Sequence, residues 1–88
     1  MKIKSGFILR DVGGKTFVVA VGERSKEFRG MITLNETGKF IWKMLEKGAT
    51  INDVIDSMLS VYEGADREVI EKDVSDFVAK LQGDNILE

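Results

Sequence analysis

Three short amphipathic segments, each preceded by a helix-capping residue, occupy the chain from Asn35 onward and limit the folds it can adopt. Asn35 can accept hydrogen bonds from the free N–H groups at the start of a helix. Thr50 and Asp53 resemble a capping box, and Asp66 can cap a third helix. Because helices this short are stable only when their apolar faces are covered, the pattern predicts three helices that share one core.

Apolar residues recur at helical spacing in each segment and predict which faces are buried. The three stripes are Phe40, Ile41, Met44 and Leu45; Val54, Ile55, Met58, Leu59 and Tyr62; and Ile70, Val74, Phe77, Val78 and Leu81. Gly48, Gly64 and Gly83 are predicted to end the helices, because glycine adopts the left-handed conformation without a steric penalty. The remaining Ile86–Leu87 is expected to form a terminal β segment or a tucked tail.

The first third of the chain has the pattern of a small antiparallel sheet. Phe7–Val12 and Thr16–Val21 flank Gly13-Gly14, a dipeptide suited to a two-residue hairpin turn. Gly22–Arg29 is predicted to be a charged loop, and Gly30–Leu34 a third strand. Strands followed by helices predict an α+β fold, with a small three-stranded antiparallel sheet followed by three helices in a winged-helix-like order.

Composition excludes several classes of function. The 88 residues suit one domain and include no cysteine and no histidine. Thiol catalysis and disulfides are therefore excluded, and the commonest general base and metal ligand is missing. No serine or carboxylate has a recognisable catalytic neighbour, so we expect no enzymatic activity, no metal site and no cofactor. Without a signal-peptide pattern or an 18-residue apolar run, we expect a cytoplasmic protein with no membrane partner.

The net charge of −2 is divided unevenly along the chain. Seven basic and three acidic residues up to Leu34 give this part a charge of +4, which leaves −6 for the rest. An acidic helical part disfavours nucleic acid as a partner, because binding to phosphates requires lysine and arginine.

The order and spacing of these segments resemble one known family. The stretch LNETGKFIWKMLEKGATINDVIDSMLSVY, from Leu34 to Tyr62, precedes a helix with internal aspartates and a final GDNIL from Gly83 to Leu87. This arrangement resembles PqqD, the small protein of pyrroloquinoline quinone biosynthesis. Relatives of PqqD are recognition elements for the precursors of ribosomally made, modified peptides. The resemblance covers residues 1–88 as a single peptide-recognition domain.

The predicted third strand is the first candidate site, with Gly30, Met31, Ile32 and Thr33 as its residues. It is short, has few charges and contains no proline. At the edge of a sheet, the free N–H and C=O groups of such a strand recruit another extended chain. In the alternative interpretation, a loop or neighbouring element covers the edge.

The predicted third helix supplies the second candidate surface. Its periodicity places Val69, Asp73, Asp76 and Lys80 on the flank beside the buried stripe. Asp73 and Asp76 would meet basic or polar side chains of a peptide, and Val69 is apolar where water is expected. The alternatives are a structural hydrogen bond for Asp73 and a peripheral core contact for Val69. The resemblance implies that a leader peptide binds between this helix and the third strand.

Three hypotheses for function follow. The first is a non-catalytic adaptor that binds a leader peptide and presents the precursor to a modifying enzyme, for which the resemblance implies a radical SAM enzyme. The alternatives are a winged-helix DNA-binding or regulatory module, and a structural domain that dimerises through its open edge. Trp42 is expected at the core edge or, partly exposed, as an anchor of an interface.

Overall fold

A three-stranded antiparallel sheet precedes the main helices in the computed structural model, which describes residues 2–28 and 30–88. The strands are β1 (Phe7–Val12), β2 (Lys15–Ala20) and β3 (Met31–Leu34), in the spatial order β1-β2-β3. The helices are α1 (Arg24–Glu27), α2 (Glu36–Glu46), α3 (Ile51–Val61) and α4 (Arg67–Gly83). The predicted α+β fold, with a small antiparallel sheet followed by three helices, is confirmed, and α1 is an additional single turn.

The predicted hairpin joins β1 to β2. Gly13 and Gly14 have φ angles of 58° and 80°, as a two-residue type I′ turn requires at both central positions. Val12 pairs with Lys15 directly across this turn, so Lys15 belongs to β2. Val21, which the sequence places in the strand, lies just outside it.

The segment predicted as a charged loop, Gly22–Arg29, contains the short helix α1, so that prediction is wrong for Arg24–Glu27. A contact far away in sequence holds this turn. The Arg24 guanidinium lies 5.6 Å from the centre of the Phe7 ring, and its Nε donates a hydrogen bond to the Ser5 carbonyl. Phe28 packs edge-on against the same ring. Arg29 lies outside the described residues.

The predicted helix caps are present. The Asn35 side chain accepts a hydrogen bond from the Gly38 N–H at 2.7 Å, and Asp66 accepts one from Glu68. Thr50 and Asp53 form a reciprocal capping box at the start of α3. α4 ends at Gly83, as predicted, although this glycine does not adopt the left-handed conformation. Asn85, with φ of 62°, supplies the left-handed turn after α4.

One apolar core lies between the sheet and the helices. Trp42 is its largest fully buried side chain, so it belongs to the centre of the core and not to its edge. Leu45, Val74 and Leu81 are also fully buried. The tail Ile86–Leu87 is buried as well, and Leu87 pairs with Ile3 in a single β-bridge. This contact confirms the predicted terminal β segment and ties both ends of the chain to the core.

Candidate functional site

β3 is an edge strand, and the strand register determines which of its backbone groups are free. In a two-residue hairpin, the residues that flank the turn form a hydrogen-bonded pair, and the bonding direction then alternates along the strand. Val12 and Lys15 are that pair, so Lys15, Phe17 and Val19 bond to β1. Thr16 and Val18 therefore bond to β3.

Within β3, the backbone groups consequently alternate between the sheet and the edge. Ile32 and Leu34, paired with Val18 and Thr16, direct their N–H and C=O groups toward β2. Met31 and Thr33 direct theirs to the open edge. Their side chains are exposed, whereas those of Ile32 and Leu34 are buried in the core. Gly30 is exposed and precedes the strand.

A groove runs between this edge and α4. One cavity of about 350 Å³ adjoins β3, and a second of about 350 Å³ adjoins α4. The residues that line both cavities are Asn35, Gly38, Phe77 and Lys80. Ile32, Thr33 and Leu34 complete the first cavity, while Asp73 and Asp76 are among the residues that complete the second. The structure thus brings most of the predicted strand and helix residues to one depression.

Phe77 and Gly38 are among the groove residues that were not predicted as site residues. Phe77, predicted as core, is only half-buried and lines both cavities. Gly38 is buried in the first turn of α2. A Cβ atom there would lie 3.2 Å from the Asn35 Oδ1 atom and 3.4 Å from the Phe77 ring. Glycine inside a helix costs stability, so its presence there was a sequence signal for close packing.

The predicted flank of α4 is exposed along its length. Asp76 forms an ion pair with Lys72 at 2.7 Å, and this hydrogen bond raises the pKa of Lys72. Asp73 and Lys80 have no ion-pair partner among the described residues. Val69 is 56% exposed and does not line either cavity; it lies one helical turn before Asp73. The groove therefore has an apolar floor, with charges of both signs along its helical wall.

Residues 2–28 and 30–88 contain no group of acidic side chains placed to hold a metal ion. No helix in the same part of the chain is long and apolar enough to cross a membrane.

On the far side of α2, hydrogen bonds from Thr16 and Lys39 lower the pKa of Asp11. This carboxylate connects β1 to α2 and lies outside the groove.

The fold and the groove define a class of small sheet-and-helix module with an open strand edge opposite an amphipathic helix. The family model described as coenzyme PQQ synthesis protein D (PqqD) matches residues 8–87. The chain therefore belongs to the PqqD family, as its sequence pattern predicts.

Two solved structures have the same fold over nearly the whole chain. TbiB1 in complex with the TbiA(beta) leader peptide has a TM-score of 0.80 and 24% identity, over 100% of this chain and 95% of that chain. Lasso peptide synthetase B1 complexed with the leader peptide has a TM-score of 0.74 and 21% identity, over 98% and 93%. A comparison with curated protein sequences gives no match.

Proposed function

We propose that this chain is a non-catalytic adaptor that binds the leader of a ribosomally made precursor peptide as an added β-strand. The leader lies beside Met31–Leu34 and crosses the groove toward α4. The observation that carries this proposal is the open edge of β3, where the backbone groups of Met31 and Thr33 point outward opposite an amphipathic helix.

The groove offers the two kinds of contact that strand addition needs. Backbone groups of Met31 and Thr33 supply hydrogen bonds that do not depend on the peptide's sequence. Side chains of the peptide that point toward the groove meet Phe77, an apolar surface, with Asp73 and Lys80 beside it. We therefore expect the leader to place an apolar residue over Phe77 and a basic or polar residue near Asp73.

The reaction itself belongs to a partner in this proposal. The resemblance implies a radical SAM enzyme, whose iron–sulfur clusters need cysteine ligands that this chain lacks. The adaptor contributes effective concentration and register, because the bound leader holds the rest of the precursor near the enzyme. Family membership and the leader complexes of the two similar folds support this role. Pyrroloquinoline quinone biosynthesis is one candidate pathway for this role.

A titration of isotope-labelled protein with a synthetic leader tests the proposal. The probe is a synthetic leader with an apolar residue placed to meet Phe77 and a basic residue placed to meet Asp73. Backbone amide shifts are expected to concentrate on Met31–Leu34 and on the flank of α4 from Val69 to Lys80. Asp73→Lys and Val69→Arg should each weaken binding by about threefold to tenfold, the range expected for one lost surface contact.

Matched variants separate binding from folding. Asp73→Lys and Val69→Arg lie on an exposed helix face, so their thermal melts should stay close to that of the parent protein. Glu63→Lys, at an exposed position after α3, gives the same change of charge as Asp73→Lys and should leave leader affinity unchanged. Shifts that cluster on β1, β2 or α3 and spare both walls of the groove would show that the site is misplaced.

A further inference from the structure

The face of the sheet that points away from the helices is unusually apolar. Side chains alternate between the two faces of each strand, and buried Val18 and Ile32 mark the core face. The opposite, outer face has eight positions: Ile8, Arg10, Val12, Lys15, Phe17, Val19, Met31 and Thr33. Five of these eight are apolar, although an antiparallel sheet with one solvated face normally alternates apolar and polar residues.

The helical core does not cover these five apolar side chains. None of them is among the buried core residues or the partly buried residues that pack against the core in the described part of the chain. Val12 and Met31 are 63% and 61% exposed. Ile8, Phe17 and Val19 are half-buried, and the cross-strand register places Ile8 and Val19 beside each other. Contiguous apolar surface of this kind is typical of an interaction site.

The apolar row ends at the strand that would receive the leader. Ile8 pairs with Val19, and Val19 pairs with Met31, so the three side chains form a line across the sheet to its open edge. A strand added beside β3 would extend this line with its own alternate side chains. A partner on the outer face would therefore contact the adaptor and its bound leader at the same time.

The charges of this face restrict its occupant. The charged outer-face positions are Arg10 and Lys15, both basic and both exposed. A second copy would bring these like charges together. The face is also small, because three strands of about six residues span about 300 Å², whereas a stable interface buries about 800 Å² per partner. The like charges favour a different protein, with an apolar centre and a carboxylate rim, and the small area requires that this protein also contacts the leader strand beside β3.

We propose that the outer face, with Ile8, Phe17, Val19 and Met31 at its centre and Arg10 and Lys15 as its charged positions, is the docking surface for the modifying enzyme. This inference rests on the proposed function, since its occupant acts on the precursor held at β3. The enzyme would pack an apolar patch, with acidic residues at its rim, against the sheet. It would also contact the exposed edge of the bound leader strand. Docking and leader binding use different faces of the same strand, so the two can be tested separately.

The test measures binding of the adaptor to a purified radical SAM enzyme, the class of modifying enzyme that the resemblance implies, with and without the synthetic leader. The double variant Phe17→Thr/Val19→Thr removes apolar surface and places threonine, a β-branched residue suited to a strand, at both positions. The control is Val61→Thr, which removes apolar surface at an exposed position of α3. Arg10→Glu/Lys15→Glu tests the charged rim without changing apolar surface, with Lys47→Glu as its control.

We expect the double threonine variant to weaken enzyme binding by about tenfold or more, as the loss of central apolar contacts does in other interfaces. The charge reversal should slow association, more strongly at low salt. Leader affinity should stay unchanged in both, and the controls should dock as the parent does. Addition of the leader should strengthen docking of the parent protein.

Several results would overturn the inference. The outer face is not the docking surface if both variants bind the enzyme as tightly as the parent, or if the parent does not bind it at all. A dimer in sedimentation that the threonine variant abolishes would show that a second copy covers the face. In each case, retained leader binding would leave the proposed function intact, whereas loss of leader binding by the parent would contradict that function instead.

Discussion

At the scale of single residues, Trp42 combines the largest apolar contact with an unsatisfied polar group. Its side chain is fully buried, and its indole Nε1 has no hydrogen-bond partner among the described residues. A buried donor without an acceptor costs about 1–3 kcal/mol. The residue therefore stabilises the core because its side chain buries a large apolar surface and fills a large volume. The cost of burying the unpaired N–H group offsets part of this stabilisation.

Two substitutions separate these contributions. Trp42→Ala should lower the free energy of unfolding by about 3–5 kcal/mol, because it empties a central site. Trp42→Phe retains most of the apolar surface and removes the unpaired donor, so it should cost clearly less. Urea unfolding of both variants measures the difference. Equal losses for the two would show that removal of the unpaired donor does not offset the volume lost at this site.

Asp11 makes the link between β1 and α2 dependent on pH. The Thr16 hydroxyl and the Lys39 ammonium group both donate to its carboxylate, and these bonds lower its pKa below the ordinary 3.8. A lowered pKa in the folded state means that the carboxylate contributes stability above pH 3.8, which is lost as the pH falls through the folded-state value.

The expected outcome is a small stability difference that depends on pH. Asp11→Asn should melt below the parent protein near neutral pH, and the two melting temperatures should converge as the pH falls below 3.8. The effect should be modest and reduced by salt, because the carboxylate is exposed. A constant gap between the two melts across this pH range would show that the Asp11 bonds do not depend on ionisation.

At the scale of elements, local signals predicted most of the structure. The hairpin depends on Gly13-Gly14, and each later helix begins at a capping residue whose partner lies two or three positions away. Such features are encoded within a few residues, so they can be identified without a fold. The apolar spacing then identified most of the core.

Features that depend on distant contacts could not be predicted in the same way. The helix α1 is held by the ring of Phe7, which lies far from it in sequence. Phe77 fits a core stripe by spacing, and only the position of α4 beside Gly38 makes it the floor of a groove. The bonding direction of Ile32 depends on the hairpin register, which is set by the type and length of the turn.

That register makes β3 sensitive to proline at alternate positions. Ile32→Pro removes a donor that bonds β2, so it should destabilise the fold by about 1–3 kcal/mol and lower the melting temperature. Met31→Pro removes an outward donor at the first residue of the strand, a position that tolerates proline. It should leave the melt nearly unchanged and weaken leader binding by about threefold to tenfold. The reverse pattern, with Met31→Pro unfolding the protein, would show that the hydrogen-bonding direction assigned to β3 is inverted.

At the scale of the whole molecule, the outer face of the sheet and the helical part of the chain differ in charge. The sheet carries basic Arg10 and Lys15 on its outer face, whereas the part of the chain after Leu34 has a charge of −6, from six basic and twelve acidic residues. Peptide capture at the groove and docking of a partner at the outer face would thus occur on surfaces of unlike character. In the proposed function, this separation would allow one small domain to hold a precursor without blocking the enzyme that acts on it.

The same distribution of charge argues against DNA as a partner. Two of the three basic residues of α4, Arg67 and Lys72, form ion pairs with Glu71 and Asp76 on the same helix. Only Lys80 then remains to meet a phosphate on this helix, so neither a basic stripe nor a recognition helix is formed.

We expect no sequence-specific binding to duplex DNA, and only weak binding that disappears as salt is raised. Fluorescence anisotropy with a library of duplexes at moderate salt measures this binding. The double variant Glu71→Lys/Asp76→Lys adds four positive charge units to α4, so it should raise the non-specific affinity for DNA. Submicromolar binding of the parent protein to one sequence would reverse the ranking and make the winged-helix regulator the better hypothesis.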